Sequence, residues 1–246
     1  MYMKFNEIPK FVVNLERRPD RLSEVKKEME YIGWDYELFK AIDTGDYQGI
    51  TLSTLEIINI AKERGYPRVM IIEDDIRFMP YAKDFLTKIE EQCEDLKFGI
   101  FNLAPTLDRP LNKSENYDLL LDMTNLPPKK DYHRDIYAAN MIIYDESIYD
   151  VLFGIKEYPT PYYYPIDEFA FRYILSEYQS YCPILPIAPQ CKGFSNISNG
   201  VYSNFYMQTY NWNQYSPCKI PGEWTDEEKN QIIKENKTHL KFKYES

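Results

Sequence analysis

Apolar residues arrive along this chain in short continuous runs, and the polar stretches between them carry helical spacing. Phe11-Val12-Val13-Asn14-Leu15 is too short and too continuous for an amphipathic helix and reads as a buried strand. Pro19 then stands at a first helical position, the helix runs to about Ile32, and Gly33 is its stop. A second strand is expected over Leu38-Phe39-Lys40-Ala41-Ile42, followed by a polar turn from Asp43 to Gly49. Ser53-Thr54-Leu55-Glu56 fits a capping box, so the next helix is expected to start at Ser53, with Leu55, Ile58 and Ala61 as its apolar face and Gly65 at its end. Val69-Met70-Ile71-Ile72 is the third buried run; Pro80 to about Glu91 patterns as a helix and Phe98 to Leu103 as a strand.

Beyond that strand the regularity lapses from Ala104 to Arg134 into Pro, Asn, Lys and Asp, the length and composition of a lid, a binding loop or a disordered segment. Order is expected again in a strand from Ala138 to Tyr144, a short helix from Ser147 to Gly154, a helix from Asp167 to about Glu177 and a last strand from Ile184 to Ala188. Val201 to Pro217 is rich in Tyr and Asn, and Thr225-Asp226-Glu227-Glu228 is a second capping box opening a charged helix toward Lys234. Alternating strands and helices predict an α/β fold with a mostly parallel central sheet flanked by helices. One domain is expected over residues 1–200, with 201–246 packed on it.

Composition narrows the functions. A formal charge of -10 argues against a general nucleic-acid or anionic-membrane binder, which draws its affinity from basic surface. No stretch approaches the roughly 18 apolar residues of a membrane span, and Met1 to Lys10 lacks the apolar core of a signal peptide. The expectation is a cytoplasmic protein in which Cys93, Cys182, Cys191 and Cys218 are reduced thiols and the sequons at Asn112, Asn196 and Asn236 are idle.

The chemistry concentrates where the third run ends, in Glu73-Asp74-Asp75. Side chains alternate along a strand, so Glu73 and Asp75 point one way and Asp74 the other if the extended geometry persists. Like charges this close repel, and a hard divalent ion relieves them: Mg2+ or Mn2+ takes one or two carboxylates and completes its shell with water and substrate phosphate. The same triplet also reads as an acidic solvated loop ahead of the helix at Pro80. Arg17 and Arg18 before the first helix, and Arg21 in its first turn, oppose the helix dipole, which either an anionic ligand or nearby Glu16 and Asp20 would offset. A proline-bounded aromatic loop, Tyr162-Tyr163-Tyr164, delivers Asp167 to a helix start, where a carboxylate serves as a cap or, beside rings that suit sugar faces, as a general base.

The ordered set of these pieces resembles glycosyltransferase family 25. The resemblance runs from Phe11 to about Ser198 through Val13-Asn14-Leu15-Glu16-Arg17-Arg18-Pro19-Asp20-Arg21, the Ala41-Ile42-Asp43 turn, Gly49 to Ser53, and Ile71-Ile72-Glu73-Asp74-Asp75. It continues through the strand Ala138 to Ile143, Pro165-Ile166-Asp167, Pro189-Gln190 and Phe194-Ser195-Asn196-Ile197.

What the resemblance implies is a GT-A-like nucleotide-sugar-binding fold, a UDP-sugar donor, Mn2+ or Mg2+, a glycan or protein acceptor, and transfer of a hexose with inversion. Asp75 and Glu73 would serve the metal; Asn14, Arg17, Arg21, Asp43 and Asp74 the donor nucleotide. Asp167 would be the base, Tyr162, Tyr163 and Tyr164 the acceptor wall, and Gln190 and Ser195 part of a substrate loop. The chain departs from the family at Thr54, where histidine commonly follows the serine, and in a shorter segment between Asp43 and Gly49. Neither of its two histidines, His133 and His239, lies in a family motif. A nucleotide- or glycan-binding relative without turnover is the alternative of another class, and a Mg2+-dependent phosphohydrolase a third.

Overall fold

The structure is a computed structural model describing residues 4–93, 95–107, 111–124, 136–137, 140–157, 165–185, 187–190, 193–195, 200–202 and 227. The first half alternates β1 (Lys10–Asn14), α1 (Pro19–Ile32), β2 (Glu37–Lys40), α2 (Gln48–Glu63), β3 (Arg68–Glu73), α3 (Ala82–Gln92) and β4 (Ile100–Asn102). Short strands β5 (Thr106–Leu107), β6 (Asn112–Lys113), β7 (Leu120–Asp122) and β8 (Ile136–Tyr137) lead to β9 (Met141–Asp145), α4 (Tyr149–Phe153) and α5 (Ile166–Phe169). β10 (Ser180–Pro183), β11 (Gly193–Ser195) and β12 (Gly200–Tyr202) complete the described strands.

One mixed sheet of eight strands, in the order β2-β1-β3-β9-β4-β10-β7-β6, is the frame, flanked by helices. β2, β1 and β3 are parallel, as are β4 and β10, while β9 and β7 run against their neighbours, so six of the eight strands share one direction. Buried runs on β1, β3, β4 and β9 form its centre, covered on both faces as such continuous apolar strands require. The two faces are identified at β1. Lys10 stacks over Trp34, which follows α1, at 5.1 Å, and the neighbouring Phe11 lies under Arg64, which follows α2, at 5.8 Å. Adjacent strand residues point to opposite faces, so α1 and α2 end on opposite sides of the sheet. This is the arrangement that brings the ends of β1, β2 and β3 to one open edge.

α1 matches the expected span, β1 is displaced from it by one residue, and Gly33 ends α1 at φ 78° with its N–H on the Met29 carbonyl at 2.9 Å. α2 starts at Gln48, not at the expected capping box. A Cβ on Gly49 would meet the Ile42 carbonyl oxygen at 2.4 Å, so the β2–α2 turn closes directly on the first helical turn. Ser53 therefore sits inside the helix, where its hydroxyl donates to the Gly49 carbonyl at 2.7 Å and accepts from the Ile42 N–H at 2.9 Å. The last main-sheet strand is Ser180–Pro183, not Ile184–Ala188. Residues 187–190 instead lie along the segment after the acidic triplet: the Arg77 N–H donates to the Pro189 carbonyl, the Met79 N–H to the Ile187 carbonyl, each at 2.9 Å, and Ile76 bridges Gln190. The helix from Asp167 is likewise shorter, its α5 turn widening into a π-helical stretch over Ala170–Ile174. Among the described residues no helix is long and apolar enough to cross a membrane. Cys93 and Cys182 are buried free thiols.

Candidate active site

Asn14 and Glu73 end β1 and β3, and the register Val13–Glu73 puts Asn14 beside Asp74. The Asn14 carboxamide donates to Asp74 Oδ2 at 2.6 Å and to the Arg18 carbonyl at 3.1 Å, tying the triplet to the entry of α1. From the first turn of α1, Arg21 Nη1 reaches Asp74 Oδ1 at 3.0 Å and Asp75 Oδ2 at 2.9 Å. Gln190 Nε2 donates to the same Asp75 oxygen at 2.9 Å. Both aspartates are buried, each 8 % exposed. Yet the second Asp75 oxygen, Oδ1, has no hydrogen-bond partner among the described residues. A buried carboxylate oxygen without a donor is costly unless a cation or donor answers it.

Glu73 lies on the other face. Phe11 pairs with Ile71 and Val13 with Glu73, which places the Glu73 side chain on the side that Arg64 and α2 occupy. Burial, reinforced by Asp75, Asp74 and Asp167, drives its carboxyl well above the ordinary range, with Arg21 acting in the opposite sense. Asp74 is raised as well, by burial and by Asp75, against Arg21 and Asn14. Asp167, in the first turn of α5, is thus close enough for its charge to be felt at Glu73 and at the buried Tyr144 of β9. The site is rich in negative charge and short of cations.

A divalent ion fits this surplus in one particular way. Among the described residues no group of three or more His, Cys, Asp or Glu side chains is disposed to hold a metal. The group that could hold such an ion is Asp75, whose Oδ1 has no partner among the described residues; Mn2+ and Mg2+ are ions that one or two carboxylates can hold.

The structure thus unites Asn14, Arg21, Asp74, Asp75 and Gln190 in one hydrogen-bonded cluster, with Asp167 close enough for its charge to be felt at Glu73. Arg17 and Asp43 meet apart from that cluster as an exposed pair, with Nε to Oδ2 at 2.8 Å and Nη2 to Oδ1 at 3.0 Å. Thr54 is buried in α2. Tyr162, Tyr163 and Tyr164, both histidines, most of the 201–246 segment, and the side chain of Ser195 lie outside the described residues. Two groups escaped the sequence reading. Asn140, buried beside Glu73, follows two alanines at the head of an apolar strand, and that lone amide was its only signal. Glu28 reads as one of many charged residues on α1, although its spacing from Arg21 and Glu24 marks a shared face.

No family model matches the chain, and no curated protein matches it. Among solved structures it is similar to a glycosyltransferase involved in the glycosylation of the major capsid of PBCV-1, at TM-score 0.47 and 10% identity over 77% of this chain and 94% of that one. It is also similar to the inositol-1-phosphate CTP transferase from T. maritima, at TM-score 0.40 and 10% identity over 82% of this chain and 76% of that one.

Proposed function

We propose that the chain is a glycosyltransferase of the family 25 type, with a GT-A-like fold, that moves galactose or glucose from a UDP-sugar to a hydroxyl of a glycan or protein acceptor. The reading includes dependence on Mn2+ or Mg2+ and inversion at the anomeric carbon. The observation that carries it is Asp75: one oxygen is fixed by Arg21 and Gln190, and the other is buried without a partner among the described residues, at the edge where β1 and β3 end. A bound ion would supply the positive charge that stabilises a departing diphosphate. Asp75 would hold it, and Asp74, braced by Asn14 and Arg21, would keep Asp75 oriented. Arg21 would share its guanidinium with phosphate oxygens. Asp167 would accept the acceptor hydroxyl's proton as that oxygen attacks the anomeric carbon.

The test is the thermal shift of the protein with UDP, with and without Mn2+, repeated on Asp75→Asn, since a ligand of the folded state raises its stability. UDP should stabilise the wild type only with Mn2+, and Asp75→Asn should abolish the effect. A folded wild type that shows no shift with saturating UDP and several divalent ions overturns the reading. The buried Thr54, at the position where the family commonly carries histidine, favours one second reading, a nucleotide-sugar binder without turnover. UDP release in the presence of acceptor separates the two.

A further inference from the structure

Residues 187–190 run against residues 76–79, which sets Gln190 opposite Ile76, one position beyond Asp75. Ile76, Ile187 and Ala188 are buried, and the ring of Pro189 fixes its φ, so apolar packing and main-chain hydrogen bonds hold the backbone that carries Gln190. Its side chain turns to the triplet: Nε2 donates to Asp75 Oδ2 at 2.9 Å, the oxygen that Arg21 Nη1 also reaches at 2.9 Å. Two donors, one from α1 and one from this late segment, thus converge on a single oxygen of a buried carboxylate, while Oδ1 receives none among the described residues. An ionised carboxylate accepts on both oxygens, and its terminal torsion is soft and roughly two-fold, so a single donor leaves the two oxygens able to exchange places. A second donor from a different element opposes that rotation. The donor at position 190 is also neutral. A lysine or arginine there would add another cation beside Arg21 and repel a divalent ion, whereas a carboxamide braces Asp75 and preserves the negative charge that attracts one.

Resting on the glycosyltransferase reading, we propose that Gln190 is a positioning residue that, together with Arg21, locks the Asp75 carboxylate so that Oδ1 is the oxygen offered to the divalent cation. Partners of this kind, one hydrogen bond removed from a metal, set the orientation of the group that ligates it. The two donors divide the work. Arg21 serves Asp74 as well as Asp75 and, in the proposed reaction, phosphate oxygens too, so the amide is the donor whose bond to Asp75 persists as the nucleotide enters. Gln190 acts through Asp75 and needs no contact with the nucleotide. A side chain that only packed would influence stability and leave metal affinity alone.

Titration with Mn2+, followed by the paramagnetic resonance of the free ion, on the wild type, Gln190→Ala and Gln190→Met, tests this. Each protein is titrated alone and with saturating UDP, against a protein-free UDP control, and its thermal melt is recorded without ligand. Both variants should bind Mn2+ about tenfold more weakly, by a similar factor with and without UDP, and melt within about 3 °C of the wild type. Gln190→Met keeps the length of the side chain without its donor, and it carries the test if alanine disturbs the segment. Mn2+ affinity within about twofold of wild type in either folded variant overturns the proposal. So does a loss confined to the titrations with UDP, which would make Gln190 a contact of the nucleotide. A wild type that binds Mn2+ neither alone nor with UDP instead removes the glycosyltransferase reading, before any variant is compared.

Discussion

Glu28 fastens α1 to the segment that carries the acidic triplet, and removing it should cost more than any ordinary helix-surface change. Arg21, Glu24 and Glu28 share one face of α1. While Arg21 holds Asp74 and Asp75, Glu28 receives Arg77 Nη1 on one oxygen at 2.7 Å and the Phe78 N–H on the other at 2.8 Å; Glu24 takes Arg77 Nη2 at 3.1 Å. Glu28 is 0 % exposed, so Glu28→Ala leaves the Phe78 N–H without its acceptor and removes the shorter of the two carboxylate contacts described for Arg77. Breaking a buried pair from one side costs about 3–5 kcal/mol, set against a total stability on the order of 5–15 kcal/mol. With a urea m-value of about 3 kcal/mol per M, the midpoint should fall by about 1–2 M. Glu28→Gln keeps one acceptor and should cost about 1–3 kcal/mol. Glu28→Leu combined with Arg77→Met should cost less than the two single changes added, because neither partner is left charged and alone. Burial holds the Glu28 carboxyl above its ordinary 4.5, outweighing Arg77 and the Phe78 amide. The unfolded chain then ionises first as pH rises. The group's contribution is full below about pH 4.5 and is lost as pH climbs through the folded value, so the gap between wild type and Glu28→Gln should narrow over that interval. Urea titrations in which Glu28→Ala and Glu28→Gln both stay within about 0.5 kcal/mol of wild type would refute this account of the clamp.

Three further outcomes follow from groups away from the site. Gly49→Ala, whose new carbon would stand 2.4 Å from the Ile42 carbonyl oxygen, should lower stability by about 1–3 kcal/mol in chemical denaturation, and Ser53→Ala by about 1–2 kcal/mol through the Ile42 N–H it leaves unpaired. Lys10 donates to the carbonyls of Asn6 and Ile8 from a buried position, and burial lowers its pKa from 10.5 to about 8 against the pull of Asp35 and Glu90. The fold thus disfavours the cation, so stability lost to Lys10 below about pH 8 is regained between 8 and 10.5. Melting temperatures of wild type and Lys10→Met across that range should diverge in favour of wild type as pH rises; parallel curves would contradict it.

The first half of the fold was legible because its signals agree with one another. At β1 and α1 a continuous apolar run, a proline at the first helical turn and a terminal glycine agree, and the chain follows them, in full for α1 and to within one residue for β1. Where a polar residue could satisfy two local rules, tertiary contact decided. Ser53 has the sequence of a cap but spends its hydroxyl on the close approach of the β2–α2 turn, which Gly49 permits. The strand Ser180–Pro183 was hidden by a proline and by the more apolar Ile184–Ala188 beside it; pairing with β4 and β7, not composition, makes it a strand. β6 and β7 lay hidden in a polar stretch for the same reason. At the site, the triplet and Arg21 announce themselves as charges that need partners. That Gln190 would meet Asp75 across 115 positions of sequence, or that Asn140 would fall opposite Glu73, depends on register, which no local pattern encodes.

The arginines at the head of α1 oppose its dipole, and the structure answers what offsets them: carboxylates of the same chain. Arg17 pairs with Asp43, Arg18 with Asp20, and Arg21 with Asp74 and Asp75 together. Two of these pairs sit at the exposed rim, where solvent screens them and little energy is at stake. Arg21 is different, because its guanidinium bridges two buried aspartates beside a third carboxyl at Glu73. A diphosphate added alone to Arg21 would bring further negative charge to a cluster in which carboxylates already outnumber the guanidinium. Coulomb repulsion in so poorly solvated a place rises steeply, and Asp75 Oδ1 has no donor among the described residues to offset it. A divalent cation held by Asp75 would supply positive charge to offset both carboxylate and phosphate. The charge count at this sheet edge therefore predicts cooperation between nucleotide and ion, each weak by itself, and that is the reason a comparison of UDP with and without Mn2+ is more decisive than either ligand alone.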